Sequence, residues 1–368
     1  MNKGNSRMTF RGTISALALT AGVSLAAALP AQAQDKDHFI YAVPSAITSA
    51  IANFGFAMEL GYFDEENIDP EFIPMAGSGV TIPQLLAGQI QSTGASLEPL
   101  IIARAPGNQD FPLIFVYNYL RNSVWEFAVL EDSDIQSFAD LEGKTIGIVS
   151  LTAGNIYSTR AIVESAGVSW DDVEAIPVGY GTQGFEALRN GTVDVLNLWD
   201  SMHESMAQQG IAFRRLELPD AYKGIASHGF EVTQELLAEN PDLITRFGRA
   251  VTKGSIACKA NPEGCLLAYF RAFPDQRPAD GTDEEVVAAE MPVMMSRLNN
   301  ITYFAEGDSD YGAFSDRDWE TLIDALKLGN QVPEDLEIPL DTLYTNELVP
   351  GFNDFDMDEV LEEAKAYK

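Results

Sequence analysis

The sequence predicts an α/β protein of two lobes, each built on a parallel-rich sheet and joined to the other by two hinge crossings. Three observations predict it. A strand–helix–strand–helix–strand plan occurs twice in order. Glycines that open and close the helices fall at similar places in both copies, and long extended stretches flank the second copy.

The first copy begins with the strand His38 to Val43, which runs into Pro44-Ser45-Ala46-Ile47-Thr48-Ser49. A helix follows to Leu60 and stops at Gly61, where a residue without a Cβ ends helices readily. The strand Pro70 to Pro74, the Gly77-Ser78-Gly79 loop, a short helix to Gly88 and a strand ending at Ala95-Ser96 complete it. The second copy opens with GKTIGIVSLTAGN, Gly143 to Asn155. Its β-branched run 145–149 leads into small polar residues. A helix whose apolar positions (Ile156, Ile162, Val163, Ala166) form one stripe then runs to Gly167. The strand Val173 to Val178, Gly179-Tyr180-Gly181, a helix to Leu188, Asn190-Gly191 and the strand Val193 to Leu198, ending at Trp199-Asp200, follow.

Strands connected through helices pair in parallel, and right-handed crossovers put the strand-to-helix turns of each copy at one end of its sheet. Ligands of open α/β sheets sit beyond that end. Two lobes facing each other would therefore enclose a cleft lined by the turns of both. Phe115 to Val129 and Gly224 to Val232 read as extended crossings on either side of the second copy, which describes a hinge. The organisation expected is residues 34–125 as the first part of lobe 1, 126–226 as lobe 2, and 227–368 as the return to lobe 1. The mainly helical C-terminal part is expected to pack back on lobe 1.

Residues 1–33 read as a signal peptide. Lys3, Arg7 and Arg11 form a positive start, 14–29 an apolar stretch, and Ala31-Gln32-Ala33 a cleavage signal. The remainder is then periplasmic and free of the membrane. The formal charge of −32 argues against nucleic acid and against anionic membrane surfaces as partners. Cys258 and Cys265 flank a turn signal, Asn261-Pro262-Glu263-Gly264, which brings them within reach of a structural disulfide in an exported protein. With three scattered histidines no metal-ligand spacing appears, and no cofactor is expected.

Candidate ligand residues are those at the strand ends. The turn Ser150-Leu151-Thr152-Ala153-Gly154-Asn155 combines hydroxyls with the free N–H groups of a helix start, which suits a sulfonate, carboxylate or phosphate oxygen; helix capping by Ser150 or Thr152 is the alternative. Trp199 could form an apolar wall and Asp200 meet a ligand amine, or the pair could pack in the hinge and cap the next helix. Glu98 just past Ser96, Trp125 in the first crossing, Tyr180 between two glycines, and His228 in the returning crossing carry the same double reading. An enzyme would need a nucleophile and a base. No G-x-S-x-G is present, and Ser227 beside His228 in an extended strand would point to the opposite side.

Several stretches together resemble a known family. GYFDEENIDPEFIPMAGSGVTIPQLLAGQI, FADLEGKTIGIVSLTAGN, FEALRNGTVDVLNLWDS and ELLAENPDLITRFGRAV are similar, in order, to landmarks of the nitrate/sulfonate/taurine-binding proteins of bacterial ABC importers. That family also includes proteins that bind or make the pyrimidine precursor of thiamine. The similarity spans residues 38–255. It implies a periplasmic-binding-protein-like type II fold and, position by position, ligand contacts at Ser45, Thr48, Ser78, Ser96, the Ser150–Asn155 turn, Trp199-Asp200 and His228. It implies a monomer that delivers a small organic anion or zwitterion, sulfonate- or taurine-like, to an ABC permease and its ATPase. An enzyme on the same fold and a binding protein serving a membrane sensor are the rival readings; the cysteine-rich signature of the thiamine-precursor enzymes is missing here.

Overall fold

The structure, a computed structural model, describes residues 36–304 and 310–368; the signal peptide expected at 1–33 lies outside the described residues. In the first half, β1 (Asp37–Val43) leads through a short 3-10 turn to α1 (Ala52–Glu59) and α2 (Tyr62–Glu65). There follow β2 (Ile68–Pro74), α3 (Ser78–Leu86), β3 (Ser92–Ser96), α4 (Glu98–Arg104) and β4 (Leu113–Leu120). β5 (Trp125–Leu130) opens the second half, with β6 (Thr145–Ile148), α5 (Ile156–Ser165), β7 (Glu174–Pro177), α6 (Thr182–Arg189), β8 (Val195–Trp199), α7 (Asp200–Gln208) and β9 (Phe213–Arg215). The chain returns through β10 (His228–Thr233) and ends in α8 (Gln234–Glu239), α9 (Pro241–Ala260), α10 (Pro262–Ala272), α11 (Asp283–Ile301), α12 (Asp316–Leu328), α13 (Val349–Phe352) and α14 (Met357–Ala366).

Two five-stranded sheets result, in the orders β2-β1-β3-β10-β4 and β7-β6-β8-β5-β9. The same plan is built twice. β1 pairs in parallel with β2 and β3, and β6 in parallel with β7 and β8. Each sheet then takes antiparallel strands, β10 and β4 in the first, β5 and β9 in the second. The stretch read as one extended crossing, 115–129, is therefore broken at 121–124 and divided between β4 of one sheet and β5 of the other.

Around the first sheet, burial of aromatic rings supplies the core. Phe39 and Phe247 stack at 4.0 Å between centroids, and Tyr117 stacks on Phe230 at 4.6 Å. The helices that cover it start on matched signals. Asn240 and Asn261 each precede a proline, and their side-chain oxygens accept from the N–H groups of Leu243 and Gly264, respectively. Between these helices Cys258 and Cys265 are joined by a disulfide, with Cα atoms 5.0 Å apart.

The C-terminal part does not all return to the first sheet. The buried stripe of α12, Trp319, Leu322, Ile323 and Leu326, joins the same hydrophobic cluster as Ile156, Ala161 and Ile162 of α5 in the second half. Tyr222 fastens them, its hydroxyl lying 2.9 Å from the carbonyl of Ala161 and 3.0 Å from that of Ala325. α11, begun by a reciprocal Thr282–Glu285 capping box, touches both halves. Ser49 donates to Glu290 at 2.7 Å on one side, and Arg297 pairs with Asp200 at 2.6 Å on the other.

Candidate functional site

The carboxyl ends of β1, β4 and β8 and the amino ends of β5 and β10 border a cleft with about 590 Å³ of empty space, part of it open to solvent. Its walls are Tyr41, Val43, Pro44 and Ser45 at the end of β1, Phe54 on α1, Tyr119 and Leu120 on β4, and Trp125, Trp199 and His228 at strand ends. Trp125 and Trp199 meet edge to face at 5.9 Å, and Trp125 lies 5.7 Å from the His228 ring. A concave, largely apolar lining with several aromatic rings and few polar groups suits a small molecule.

Its polar groups are largely occupied. Arg297 on α11 lines the cleft, but its Nη2 and Nε hold the Asp200 carboxylate at 2.6 and 3.1 Å, with the two side chains only 12% and 14% exposed. Asp200 starts α7, where the helix dipole favours a carboxylate. His228 Nε2 lies 3.1 Å from the Ser96 hydroxyl and Nδ1 2.7 Å from that of Ser227. Burial, with the nearby Arg297 charge, pushes His228 down to about 3, so the ring is neutral at physiological pH and one hydroxyl donates to it while the other accepts. Tyr41 is pushed well above the usual phenol range by burial and by Tyr119, and it too stays neutral.

Of the residues singled out in the sequence, Ser45, Trp125, Trp199 and His228 line this cleft. Asp200 stands behind it on Arg297. Ser45 donates to the adjacent Ala46 carbonyl. Ser96 supports His228, and its N–H donates to Ser78 Oγ at 3.4 Å. Glu98 and Asn155 line a separate cavity beside Trp125. Tyr180 rests 6.0 Å from Trp199, outside the cleft lining. Thr48 also lies outside that lining, with its carbonyl accepting from Ile51 N–H at the start of the 3-10 turn.

The Ser150–Asn155 turn is not part of the cleft wall. It abuts the first half. Gly79 N–H donates to the Thr152 carbonyl at 3.2 Å, and a Cβ on Gly79 would fall 2.6 Å from that oxygen. A Cβ on Gly154 would fall 2.6 Å from Ser96 Cβ and 2.8 Å from Ser78 Oγ, so glycine alone allows this approach. Ala153 is buried in the same contact zone, 3.8 Å from where a Cβ on Gly77 would lie. Asn155 turns inward and donates to Asn197 at 2.9 Å, and Ser150 Oγ lies 3.4 Å from Thr152 Oγ1. Neither Ser150 nor Thr152 caps α5. Ser227, placed on the far side of the strand from His228 by strict alternation, instead meets it because β10 begins only at His228 and alternation does not hold before that point.

Sequence reasoning misses Tyr41, Phe54, Tyr119 and Arg297. The aromatic residues sit at ordinary core positions of β1, α1 and β4, and Arg297 lies on a helix with no motif around it. Among the described residues no group of three or more His, Cys, Asp or Glu is placed to hold a metal, and no helix is long and apolar enough to cross a membrane.

A family model described as NMT1/THI5 like matches residues 48–265. The riboflavin-binding protein RibY of Chloroflexus aurantiacus is 23% identical over 257 residues, 68% of this chain and 68% of its own. The formylaminopyrimidine-binding protein of Halalkalibacterium halodurans is 28% identical over 129 residues, 34% of this chain and 36% of its own. Among solved structures, the periplasmic aliphatic sulphonate binding protein SsuA of Escherichia coli matches with a TM-score of 0.56 at 17% identity, over 81% of this chain and 94% of its own. A mutant of DSZB in complex with biphenyl-2-sulfinic acid matches with a TM-score of 0.54 at 14% identity, over 86% of this chain and 99% of its own. These structural likenesses carry the fold, the two-lobe α/β architecture of periplasmic binding proteins. The named relatives above are binding proteins, while DSZB, a desulfurization enzyme, shares the fold.

Proposed function

The chain belongs to the NMT1/THI5-like family, and on that premise we propose that it is the periplasmic solute-binding component of an ABC importer whose ligand is a small planar molecule, neutral or nearly so. The observation that carries this reading is the aromatic cleft between the lobes, whose lining guanidinium is already held by Asp200 inside the protein. Paired in that way, Arg297 has little charge left for a sulfonate, and the neutral His228 adds none. Aromatic faces at Trp125, Trp199 and Tyr119 suit a flat ring system, which gains by stacking. Relatives named for riboflavin and formylaminopyrimidine, both flat nitrogen heterocycles, support it.

Ligand closes the two lobes, and the closed form is what an ABC permease and its ATPase would read. The Gly79–Thr152 and Gly154–Ser96 approaches are the contacts that such a closed form would make. A sulfonate or taurine is the competing ligand, and it would require Arg297 to leave Asp200. Catalysis is disfavoured because His228, flanked by two hydroxyls, is too weak a base at about 3 to activate either.

The test is a thermal-shift screen of the purified protein, followed by calorimetric titration, against pyrimidines, purines, flavins, alkanesulfonates, taurine and nitrate. A ligand at 100 times its Kd stabilises the native state by about 2.7 kcal/mol, enough to raise Tm by several degrees. A response confined to heterocycles is expected. A response confined to sulfonates overturns the ligand class, and none at all overturns the binding role. Uptake into vesicles holding the cognate permease and ATPase separates import from sensing.

A further inference from the structure

Beside the main cleft a second cavity, with about 370 Å³ of empty space, lies between the halves. Trp125 lines both, so one indole stands as the partition. Its wall sets Glu98, Ser123, Asn155, Ser158 and Thr159 among the apolar side chains of Phe127, Ile162, Ile225 and Ala226. Glu98 begins α4 of the first half and Ser158 lies in the first turns of α5 of the second; the serine hydroxyl donates to Glu98 Oε1 at 2.5 Å. This hydrogen bond satisfies one oxygen. Glu98 is only 3% exposed, and its Oε2 has no hydrogen-bond partner among the described residues; nor does the buried indole Nε1 of Trp125. Leaving such atoms buried and unpaired is costly, and a fold that keeps them in the wall of a cavity offers an acceptor and a donor to whatever enters. Burial pushes Glu98 up to about 7, although hydrogen bonds from Ser158 and from its own backbone N–H oppose the rise.

We propose that this cavity is a second subsite of the cleft, taking an amino or hydroxyl substituent of the same planar ligand that passes the edge of Trp125 and donates to Glu98 Oε2. The inference rests on the planar-ligand reading and adds the chemistry of one edge of the ring. The indole N–H of Trp125 then serves an acceptor atom on that edge. A ligand without the donor leaves Glu98 unpaired, and sites built on buried hydrogen-bonding groups reject such analogues strongly.

Matched pairs test it: adenine against purine, and 2-aminopyrimidine against pyrimidine, titrated into wild type, Glu98→Ala, Glu98→Gln and Ser158→Ala. The amino member is expected to bind wild type at least about tenfold more tightly. In Glu98→Ala that preference should fall to within about twofold, almost wholly through the amino member, with Glu98→Gln between. Ser158→Ala should weaken both members of a pair alike, because it loosens the contact between halves. A preference that survives Glu98→Ala, or an equal loss for both members in that variant, overturns the subsite while leaving the planar-ligand reading intact. If neither pair binds wild type, the cavity is judged alone with methylammonium. A saturable shift of the Glu98 carboxyl carbon resonance upholds the cavity, and a flat titration overturns it.

Discussion

The turn after β1 and the turn after β6 hold the same place in the two halves, yet they face different things. Pro44 and Ser45 line the cleft. Thr152 and Gly154 are pressed onto Gly79, Ser78 and Ser96 of the first half. The third strands differ in a related way. β8 ends at Trp199 in the cleft, whereas β3 ends at Ser96, which supports His228 and receives Gly154. Equivalent positions in a repeated plan are therefore equivalent in the backbone alone. How the lobes are set against each other decides which turn lines the cleft and which meets protein.

Substitutions can break or sharpen that contrast. The largest effect is expected at Asp200, the partner of the cleft arginine. Asp200→Ala leaves Arg297 buried with no carboxylate and should cost about 3–5 kcal/mol of stability, read by chemical denaturation. The same variant should gain affinity for methanesulfonate; if it does not, the pairing of Arg297 with Asp200 is not what keeps anions out. Next comes Trp199→Ala, which removes a cleft wall and should weaken a planar ligand by about 2–3 kcal/mol in calorimetry. Gly154→Val acts at a distance from the ligand. Its side chain should hold the lobes apart and weaken binding about tenfold, by roughly 1.4 kcal/mol, with X-ray scattering showing a more open liganded form. Ser150→Ala should be smallest, within about 0.5 kcal/mol in both stability and binding. A loss comparable with that of Trp199→Ala would restore this turn to the ligand site.

The pH dependence follows the buried carboxyls. Glu98 at about 7 and Glu231 at about 8 are both raised by burial above the ordinary 4.5, so between 4.5 and those values the folded protein binds more protons than the unfolded chain. Their contribution is full at low pH and is lost as pH rises through 7 and 8. Melting temperature should fall from about pH 5 to 8, and Glu98→Gln should shrink the fall. His228, lowered to about 3, has the opposite sign and costs stability as pH drops from 6.5 toward 3.

Much of this plan is legible in the sequence, for local reasons. Helix-ending glycines such as Gly61 and Gly167 and the β-branched run before Ser150 fix where elements start and stop, and these signals act over a few residues. That Trp199 and His228 line the cleft is legible because strand ends border the cleft in this architecture. The Ser150–Asn155 turn is ambiguous in the sequence, since its hydroxyls and glycine suit an anion and a close backbone approach equally, and the structure shows the second at Gly154. Arg297 escapes notice for a similar reason. It reaches Asp200 from a helix 97 residues away, and nothing near it in the chain announces that meeting. The return of α12 to α5 likewise depends on an apolar stripe that would fit either sheet's helices.

α11 gives the molecule a mechanical character that the strands do not. Ser49 holds it at Glu290 and Asp200 holds it at Arg297, and the two anchor points stand about 10 Å apart along the helix. Asn300 adds a third, exchanging hydrogen bonds with the backbone of Asn122 where the chain passes between the sheets. Pro292 interrupts the hydrogen-bond ladder of α11 between these anchors, so separating the halves either unfastens one of them or bends the helix at that point. The halves therefore cannot part without breaking or carrying along the polar contacts that α11 makes with each of them.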